Sequence, residues 1–169
     1  MAQHRPMYRR HWLQLCLQQG MQLGAAAALL HVNPAAAAPA TLPVATSLQD
    51  ELAAALKAGQ PLVLMVSLDG CVFCKIAREH YLAPMRLEQN LHVVQINMQH
   101  KTIVKDLLGH NKTQEQLIAE LKVAIAPTLI FYGRQGAEVA ERLVGVTSED
   151  FYGAYLAQRL ATAQARVRT

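Results

Sequence analysis

The feature that most constrains this chain is a pair of cysteines, Cys71 and Cys74, set between a short apolar run and an amphipathic helical pattern. The run 61–66 is continuously apolar and rich in branched residues, which is typical of a strand covered on both faces. The pair therefore follows a central strand and opens a helix. A helix start carries unpaired N–H groups and a partial positive charge, and both favour a thiolate over a thiol. The sequence predicts a cysteine pair that reacts with disulfides.

Other roles for the pair are weaker. A structural zinc site needs about four ligands, and the only other cysteine, Cys16, lies in the N-terminal leader. Attachment of c-type haem requires His after the second cysteine, where this chain has Lys75. A permanent structural disulfide would close a very small loop and constrain the unfolded chain little. We therefore expect a reversible redox pair, with no metal and no cofactor.

Charge and composition exclude a nucleic-acid binder. The chain has 169 residues, 52% of them apolar, enough for one domain with a packed core. Its net charge is +4, but the acidic residues all follow position 40, and residues 41–169 carry 13 basic and 12 acidic side chains. With charges nearly balanced and scattered, nothing favours a nucleic-acid partner.

Residues 1–40 have the pattern of an export signal. Arg5, Arg9 and Arg10 precede a weakly apolar stretch, which glutamines interrupt, and small residues at 35–40 offer cleavage sites. A permanent membrane span is disfavoured. We expect a cleaved signal peptide over 1–40, one domain over 41–169 and a periplasmic location. General secretion is the expected route, and the twin-arginine route is its alternative. Exported compartments are where protein disulfides form.

Periodicity and capping signals predict the order of elements in the mature chain. Residues 41–46 are a short linker, and a helix capped by Ser47 follows. Pro84 must end, kink or restart the helix after the cysteine pair. The remaining predictions are a strand over 92–98, helices over 102–108 and 113–121, a strand over 128–132, a turn over 133–136 and a strand over 138–144.

A last helix is predicted after a cap at Thr147, with an apolar stripe of Phe151, Tyr155, Leu156 and Leu160. Early strands separated by helices imply a parallel βαβ unit, and the later adjacent strands imply an antiparallel hairpin in the same mixed sheet. The predicted class is α/β.

Residues from about 47 to 162 resemble thioredoxin-fold proteins. Two motifs carry the resemblance: Cys71-Val72-Phe73-Cys74 at a strand-to-helix junction, and Ala126-Pro127-Thr128 at the start of a later apolar strand. Within the family, the chain resembles exported bacterial thioredoxin-like proteins. The resemblance implies a thioredoxin fold with a mixed central sheet flanked by helices, and thiol-disulfide oxidoreductase activity. It also implies that Pro127 is cis and packs against the pair, while the backbone of Ala126 offers hydrogen bonds to an extended substrate.

The chain departs from the family pattern at two positions. Many members have a buried acid six residues before the first cysteine, where this chain has Met65, and a Trp directly before it, where this chain has Gly70. A buried carboxylate for proton transfer is therefore not expected. The titratable candidates nearby are Asp69, Lys75 and His80.

We expect a monomer in which Cys71 attacks a substrate disulfide and Cys74 resolves the mixed disulfide. Val72 and Phe73 offer the thiolate neither charge nor a side-chain hydrogen bond, which favours a reducing role. The expected partners are disulfide-containing periplasmic proteins and a membrane electron donor. The alternatives are a disulfide-forming oxidase, a dedicated maturation factor for one partner, and a binding module without turnover.

Overall fold

The computed structural model describes residues 41–146 and 148–169. The strands are β1 (Leu62–Ser67), β2 (Val93–Asn97), β3 (Ile103–Lys105), β4 (Asn111–Thr113), β5 (Thr128–Tyr132) and β6 (Leu143–Val144). The α-helices are α1 (Leu48–Lys57), α2 (Val72–Ile76), α3 (Ala83–Glu88), α4 (Gln114–Glu120) and α5 (Glu149–Arg168). A π-helical segment, Ala77–Leu82, joins α2 to α3. The predicted signal peptide lies outside the described residues.

The main sheet is mixed, with strand order β2-β1-β5-β6. β1 is parallel to β2 and antiparallel to β5, and β6 is antiparallel to β5. All six residues of β1 are buried, as expected for a central strand. Its alternate residues enter two apolar clusters: Leu62 and Leu64 pack with α1 and α4, while Val63 and Met65 pack with α5 and the segment that starts at Cys71. Helices thus cover both faces of the sheet, and the predicted thioredoxin fold is confirmed.

Pro84 restarts the helix that follows the cysteine pair. Proline has no N–H, and its ring clashes with the carbonyl four residues earlier, so a regular α-helix cannot continue through it. The chain widens instead into the π-helical segment, where the N–H of Ala83 donates to the carbonyl of Arg78, five residues back. Pro84 then occupies the first turn of α3, where a missing donor costs nothing.

The helix predicted over 102–108 is wrong. This segment forms β3, which pairs with β4 in a separate two-stranded sheet. The carboxylate of Asp106 accepts hydrogen bonds from the N–H groups of Leu108 and His110 and so reverses the chain between the two strands. Such local side-chain bonds compete with helix formation. The helix predicted over 113–121 is confirmed as α4, with its capping box at Thr113 and Gln116.

The linker predicted over 41–46 is instead part of the folded structure. Leu42 and Ala45 are buried, and Val44 forms a parallel bridge with Gln95 at the edge of β2. Gln95 donates its N–H to the carbonyl of Pro43 (2.9 Å) and accepts from the N–H of Ala45 (3.0 Å). Two extended residues in register with an edge strand suffice for this pairing, and a run this short has no periodicity that would predict it.

The C-terminal elements are shorter or shifted relative to their predictions. The strand predicted over 138–144 pairs only as β6, with an isolated bridge at Glu138. The cap predicted at Thr147 lies outside the described residues, and α5 has Ser148 at its N-cap position. In the predicted apolar stripe, Leu156 and Leu160 are buried as expected, whereas Phe151 and Tyr155 are exposed. The buried face of α5 consists of Tyr152, Leu156, Leu160, Ala163 and Val167.

In the described part of the chain, no helix is both long enough and apolar enough to cross a membrane.

Candidate functional site

The cysteine pair lies where the buried strand β1 gives way to helix. β1 ends at Ser67, and the chain turns through Gly70, whose φ of +73° is a conformation that side chains with a Cβ rarely adopt. Cys71 is the N-cap residue of α2. The sequence forms this junction because an apolar strand is followed by a glycine that can turn and a residue that can cap.

The two cysteines form a disulfide, with their Cα atoms 5.2 Å apart. They differ in environment. Cys74 is 1% exposed and belongs to the apolar cluster beneath α5, whereas Cys71 is half-buried at the edge of that cluster. The Sγ of Cys71 accepts a hydrogen bond from the N–H of Cys74 at 3.0 Å. Of the two sulfurs, that of Cys71 is therefore both reachable from outside and held by a backbone donor.

The segment before β5 forms the other side of the site. The Ala126–Pro127 peptide bond is cis, and the carbonyl oxygen of Ala126 lies 3.8 Å from the Sγ of Cys71. The carbonyl of Pro127 accepts from the N–H of Gly145 at 2.7 Å, which ties this segment to β6. The structure thus brings together all four predicted site residues, although they are some 50 positions apart in the chain.

Three exposed apolar side chains belong to the segments that carry the predicted site residues. Val72 and Phe73, between the two cysteines, are 67% and 50% exposed, and Ile125, directly before Ala126, is also more than half exposed. Single exposed apolar residues are ordinary on a protein surface.

Met65, which stands where many members of the family have a buried acid, is fully buried. It packs in an apolar cluster with Cys74, Tyr152 and Leu156, and the one buried carboxylate among the described residues, Asp106, lies in the turn between β3 and β4. The hydroxyl of Tyr152 has no hydrogen-bond partner among the described residues, and burial raises the pKa of this phenol well above its usual value. The interior side of the pair is therefore apolar and not ionised near neutral pH.

Of the three titratable candidates, two lie beside the pair. Asp69 and Lys75 line a depression of about 270 Å³ that also includes Cys71, Arg78 and Glu79. His80 is exposed and does not line it. In the described part, no group of three or more His, Cys, Asp or Glu side chains could hold a metal ion.

Sequence reasoning missed the polar partners of Asp69. One carboxylate oxygen accepts from the Nδ2 of Asn97 at 2.6 Å, and the other lies 3.0 Å from the Nε2 of His100. Asn97 ends β2, which is parallel to β1, so its position near the carboxyl end of a predicted parallel strand was a signal that these residues meet at one sheet edge.

The chain is similar in sequence to known proteins. A sequence model of the family described as a thioredoxin-like domain matches residues 48–160. The thiol:disulfide interchange protein DsbD of Pectobacterium atrosepticum is 26% identical over 115 residues, which are 68% of this chain and 19% of the relative. The chain thus spans about a fifth of the length of that curated relative.

Solved structures with a similar chain include two bacterial proteins. The periplasmic thioredoxin SoxS from Paracoccus pantotrophus, in its reduced form, is 20% identical, with 62% of this chain and 99% of that chain covered and a TM-score of 0.41. Trxlp from Edwardsiella tarda is 28% identical, with 62% and 88% covered and a TM-score of 0.42. The match of the family model, which covers most of the chain and includes the bonded cysteine pair, shows that this protein belongs to the thioredoxin-like domain family and is a thiol-disulfide oxidoreductase.

Proposed function

We propose that this protein is an exported, monomeric reductase that reduces disulfides of periplasmic proteins through Cys71 and Cys74. The observation that carries the proposal is the asymmetry of the pair. The sulfur of Cys71 is half-buried and accepts the N–H of Cys74, while Cys74 is almost fully buried. A thiolate needs both access and a hydrogen-bond donor to act as a nucleophile.

The reaction proceeds in two exchanges. In the reduced protein, the thiolate of Cys71 attacks one sulfur of the substrate disulfide, forms a mixed disulfide with it and expels the other sulfur as a thiolate, which takes up a proton. The thiolate of Cys74 then attacks the sulfur of Cys71, releases the second substrate thiol and restores the Cys71–Cys74 disulfide. Two electrons pass from the pair to the substrate. A dithiol donor at the membrane returns the protein to its reduced form.

Ala126 and Pro127 are proposed to bind the substrate chain. The carbonyl of Ala126 faces the reactive sulfur at 3.8 Å, so an extended peptide lying along this segment would bring its own disulfide to Cys71. Because proline lacks an N–H, Pro127 leaves room for the substrate sulfur without offering a competing donor. The exposed side chains of Val72, Phe73 and Ile125 would contact the substrate on either side.

The reducing direction is supported by what the motif lacks. Val72 and Phe73 are apolar and exposed, and neither side chain forms a hydrogen bond to the sulfur of Cys71. Strong oxidants of this chemistry owe their high potential to a stabilised reduced form, and among the described residues the donor to the sulfur of Cys71 is a backbone group, the N–H of Cys74. The similarity to part of a thiol:disulfide interchange protein supports exchange with a dithiol donor, and the basic, apolar and small residues in order over 1–40 support export to the periplasm.

Three variants test the cysteine roles, and the reduction potential of the unmodified protein tests the direction. We expect Cys71→Ser to abolish reduction of a protein disulfide and Cys74→Ser to accumulate a mixed disulfide with its substrate. The double Ser variant is the control and should do neither. A reduction potential near about −270 mV marks a reductant and one near about −120 mV an oxidant. Trapping of substrate by Cys71→Ser would reverse the roles of the two cysteines. A potential at the oxidising end would overturn the reducing direction. Partner binding that the double Ser variant retains, with no turnover by the unmodified protein, would indicate a binding module.

A further inference from the structure

A second cavity lies beside the cysteine loop, at the carboxyl ends of the parallel strands β1 and β2. Its volume is about 220 Å³, and it does not include Cys71 or Cys74. Ligand sites of α/β proteins occur preferentially at this edge of the sheet. Its polar lining includes Asp69, Arg78, Asn97, His100 and Gln114.

Arg78 brings a positive charge to the cavity without an acidic partner. Its Nε donates to the side-chain oxygen of Gln95 at 2.9 Å, and its Nη2 donates to the hydroxyl of Ser67 at 2.8 Å. Both acceptors are neutral, and none of the ion pairs among the described residues includes Arg78. Its Nη1 donates to no described group. A half-buried guanidinium with free donors and no carboxylate is a site that a planar anion can bind.

Gln114 adds a donor that the fold leaves without an acceptor. The residue is fully buried at the start of α4, and its Oε1 accepts the N–H of Asn97 at 2.7 Å. Because that backbone group can only donate, the oxygen of the amide must face it. The Nε2 is therefore fixed as the free donor, and it has no hydrogen-bond partner among the described residues. A buried polar group left without a partner is costly, so this position calls for an acceptor.

The acid of the cavity, Asp69, is exposed, and both of its oxygens have partners. The side chain of Asp69 is 71% exposed, that of His100 is 45% exposed, and the two interact at the mouth. Both oxygens of Asp69 are engaged, one by Asn97 and one by His100. The repulsion that Asp69 exerts on a bound anion is thus reduced by solvent and by its two partners, while the donors of Arg78 and Gln114 remain.

We propose that this cavity binds a small carboxylate, with the guanidinium of Arg78 providing the charge and the Nε2 of Gln114 donating a hydrogen bond at its deep end. The geometry points to a carboxylate because both groups are planar donors, which match a planar acceptor. Asp69 and Arg78 also line the depression that contains Cys71, so the bound carboxylate would lie next to the redox site. This binding site is independent of the reducing direction proposed above.

The test is a titration of the oxidised, uniformly ¹⁵N-labelled protein with sodium acetate at constant ionic strength, followed by NMR. Acetamide, a neutral molecule of the same shape, and inorganic phosphate are titrated in parallel. We expect acetate to give saturable shifts in the side-chain amide of Gln114 and in the backbone amide of Asn97. Acetamide should leave both unchanged at equal concentration.

Two substitutions and a control identify the groups. Arg78→Met and Gln114→Glu should each weaken acetate binding by about tenfold or more, since each removes a donor to a charged group or adds a like charge. Arg86→Met removes an arginine from α3, outside this cavity, and should bind acetate as the unmodified protein does.

Several results would overturn the proposal. Equal shifts with acetamide would show that charge does not matter, and saturation by phosphate at lower concentration would show a site for tetrahedral oxoanions. Equal loss on Arg86→Met would show binding governed by net charge. Linear, non-saturating shifts would show a cavity that holds water alone. If Arg78→Met fails to fold, the acetate–acetamide contrast and Gln114→Glu still decide the question.

Discussion

At the scale of single residues, Asp106 shows how a buried carboxylate can stabilise a turn. Burial by itself would raise the pKa of this group, but four hydrogen bonds outweigh it. They come from the backbone of His110, the Nζ of Lys112, the backbone of Leu108 and the ring of His110, and together they lower the pKa from 3.8 to about 2. The ionised form is therefore bound more tightly in the folded protein than in the unfolded chain.

The sign of this shift predicts how stability depends on pH. Because the pKa is lower in the folded state, the carboxylate contributes stability above about pH 4, and this contribution is lost as the pH falls toward about 2. We expect Asp106→Asn to reduce the free energy of unfolding by about 2 kcal/mol at pH 7. Asn keeps an acceptor for the turn but loses the charge. The difference from the unmodified protein should shrink as the pH falls from about 4 through about 2, as measured by urea denaturation at several pH values.

A matched control separates this effect from loss of surface charge. Glu120→Gln removes the other acidic partner of Lys112. The side chain of Glu120 is more than half exposed. Exposed ion pairs contribute little, so this variant should change stability by less than about 0.5 kcal/mol. A pH-independent loss on Asp106→Asn would contradict the assignment.

At the scale of elements, capping residues are the local signals that predicted where helices α1 and α4 begin. Thr113 accepts the N–H of Gln116 at 3.1 Å, and the side chain of Gln116 accepts the N–H of Thr113 at 3.0 Å. Ser47 caps α1 in a similar way through the N–H of Asp50. At the start of α5, by contrast, the side chain of Ser148 makes no capping bond.

The contrast predicts unequal effects of removing these hydroxyls. We expect Thr113→Ala to lower the free energy of unfolding by about 1 kcal/mol, because an orphan N–H at the start of α4 loses its acceptor. Ser148→Ala, at the same N-cap position of α5, should cost less than about 0.5 kcal/mol. Thermal and urea denaturation would measure the stability of both variants. Equal losses would show that the hydrogen bond at Thr113 does not contribute to stability.

At the scale of the whole molecule, the folded domain begins before its first helix. The segment 41–46 adds two backbone hydrogen bonds to the edge of β2 and buries the side chains of Leu42 and Ala45. The side chain of Gln95 also donates to the carbonyl of Leu42 at 2.9 Å. This segment therefore stabilises the sheet edge.

A pair of truncations tests this domain boundary. A protein that starts at Ser47 should be less stable than one that starts at Thr41 by about 2 to 4 kcal/mol, because burying a Leu side chain alone contributes about 1.5 to 3 kcal/mol. Amide hydrogen exchange in β2 should also become faster in the shorter protein. Equal stability and equal exchange would show that 41–46 is a linker after all.

Prediction from the sequence succeeded where a signal was local and repeated. The strand β1 followed from six consecutive apolar positions, α4 from its capping box, and the restart after the cysteine pair from Pro84. It failed over 102–108, because the apolar spacing there fits a helix or a strand, and a single side chain, Asp106, decides in favour of a turn.

The sequence by itself predicted the cysteine pair and its place between strand and helix, because both depend on the chemistry of a few neighbouring residues, whereas the role of the segment at Pro127 was implied by the resemblance to thioredoxin-fold proteins. Only the tertiary structure decided how deeply Cys74 is buried, that 41–46 joins the sheet, and that Arg78 and Gln114 share a cavity. These depend on contacts between residues far apart in the chain. The balance of burial and hydrogen bonding that fixes such contacts exists only once the sheet has formed.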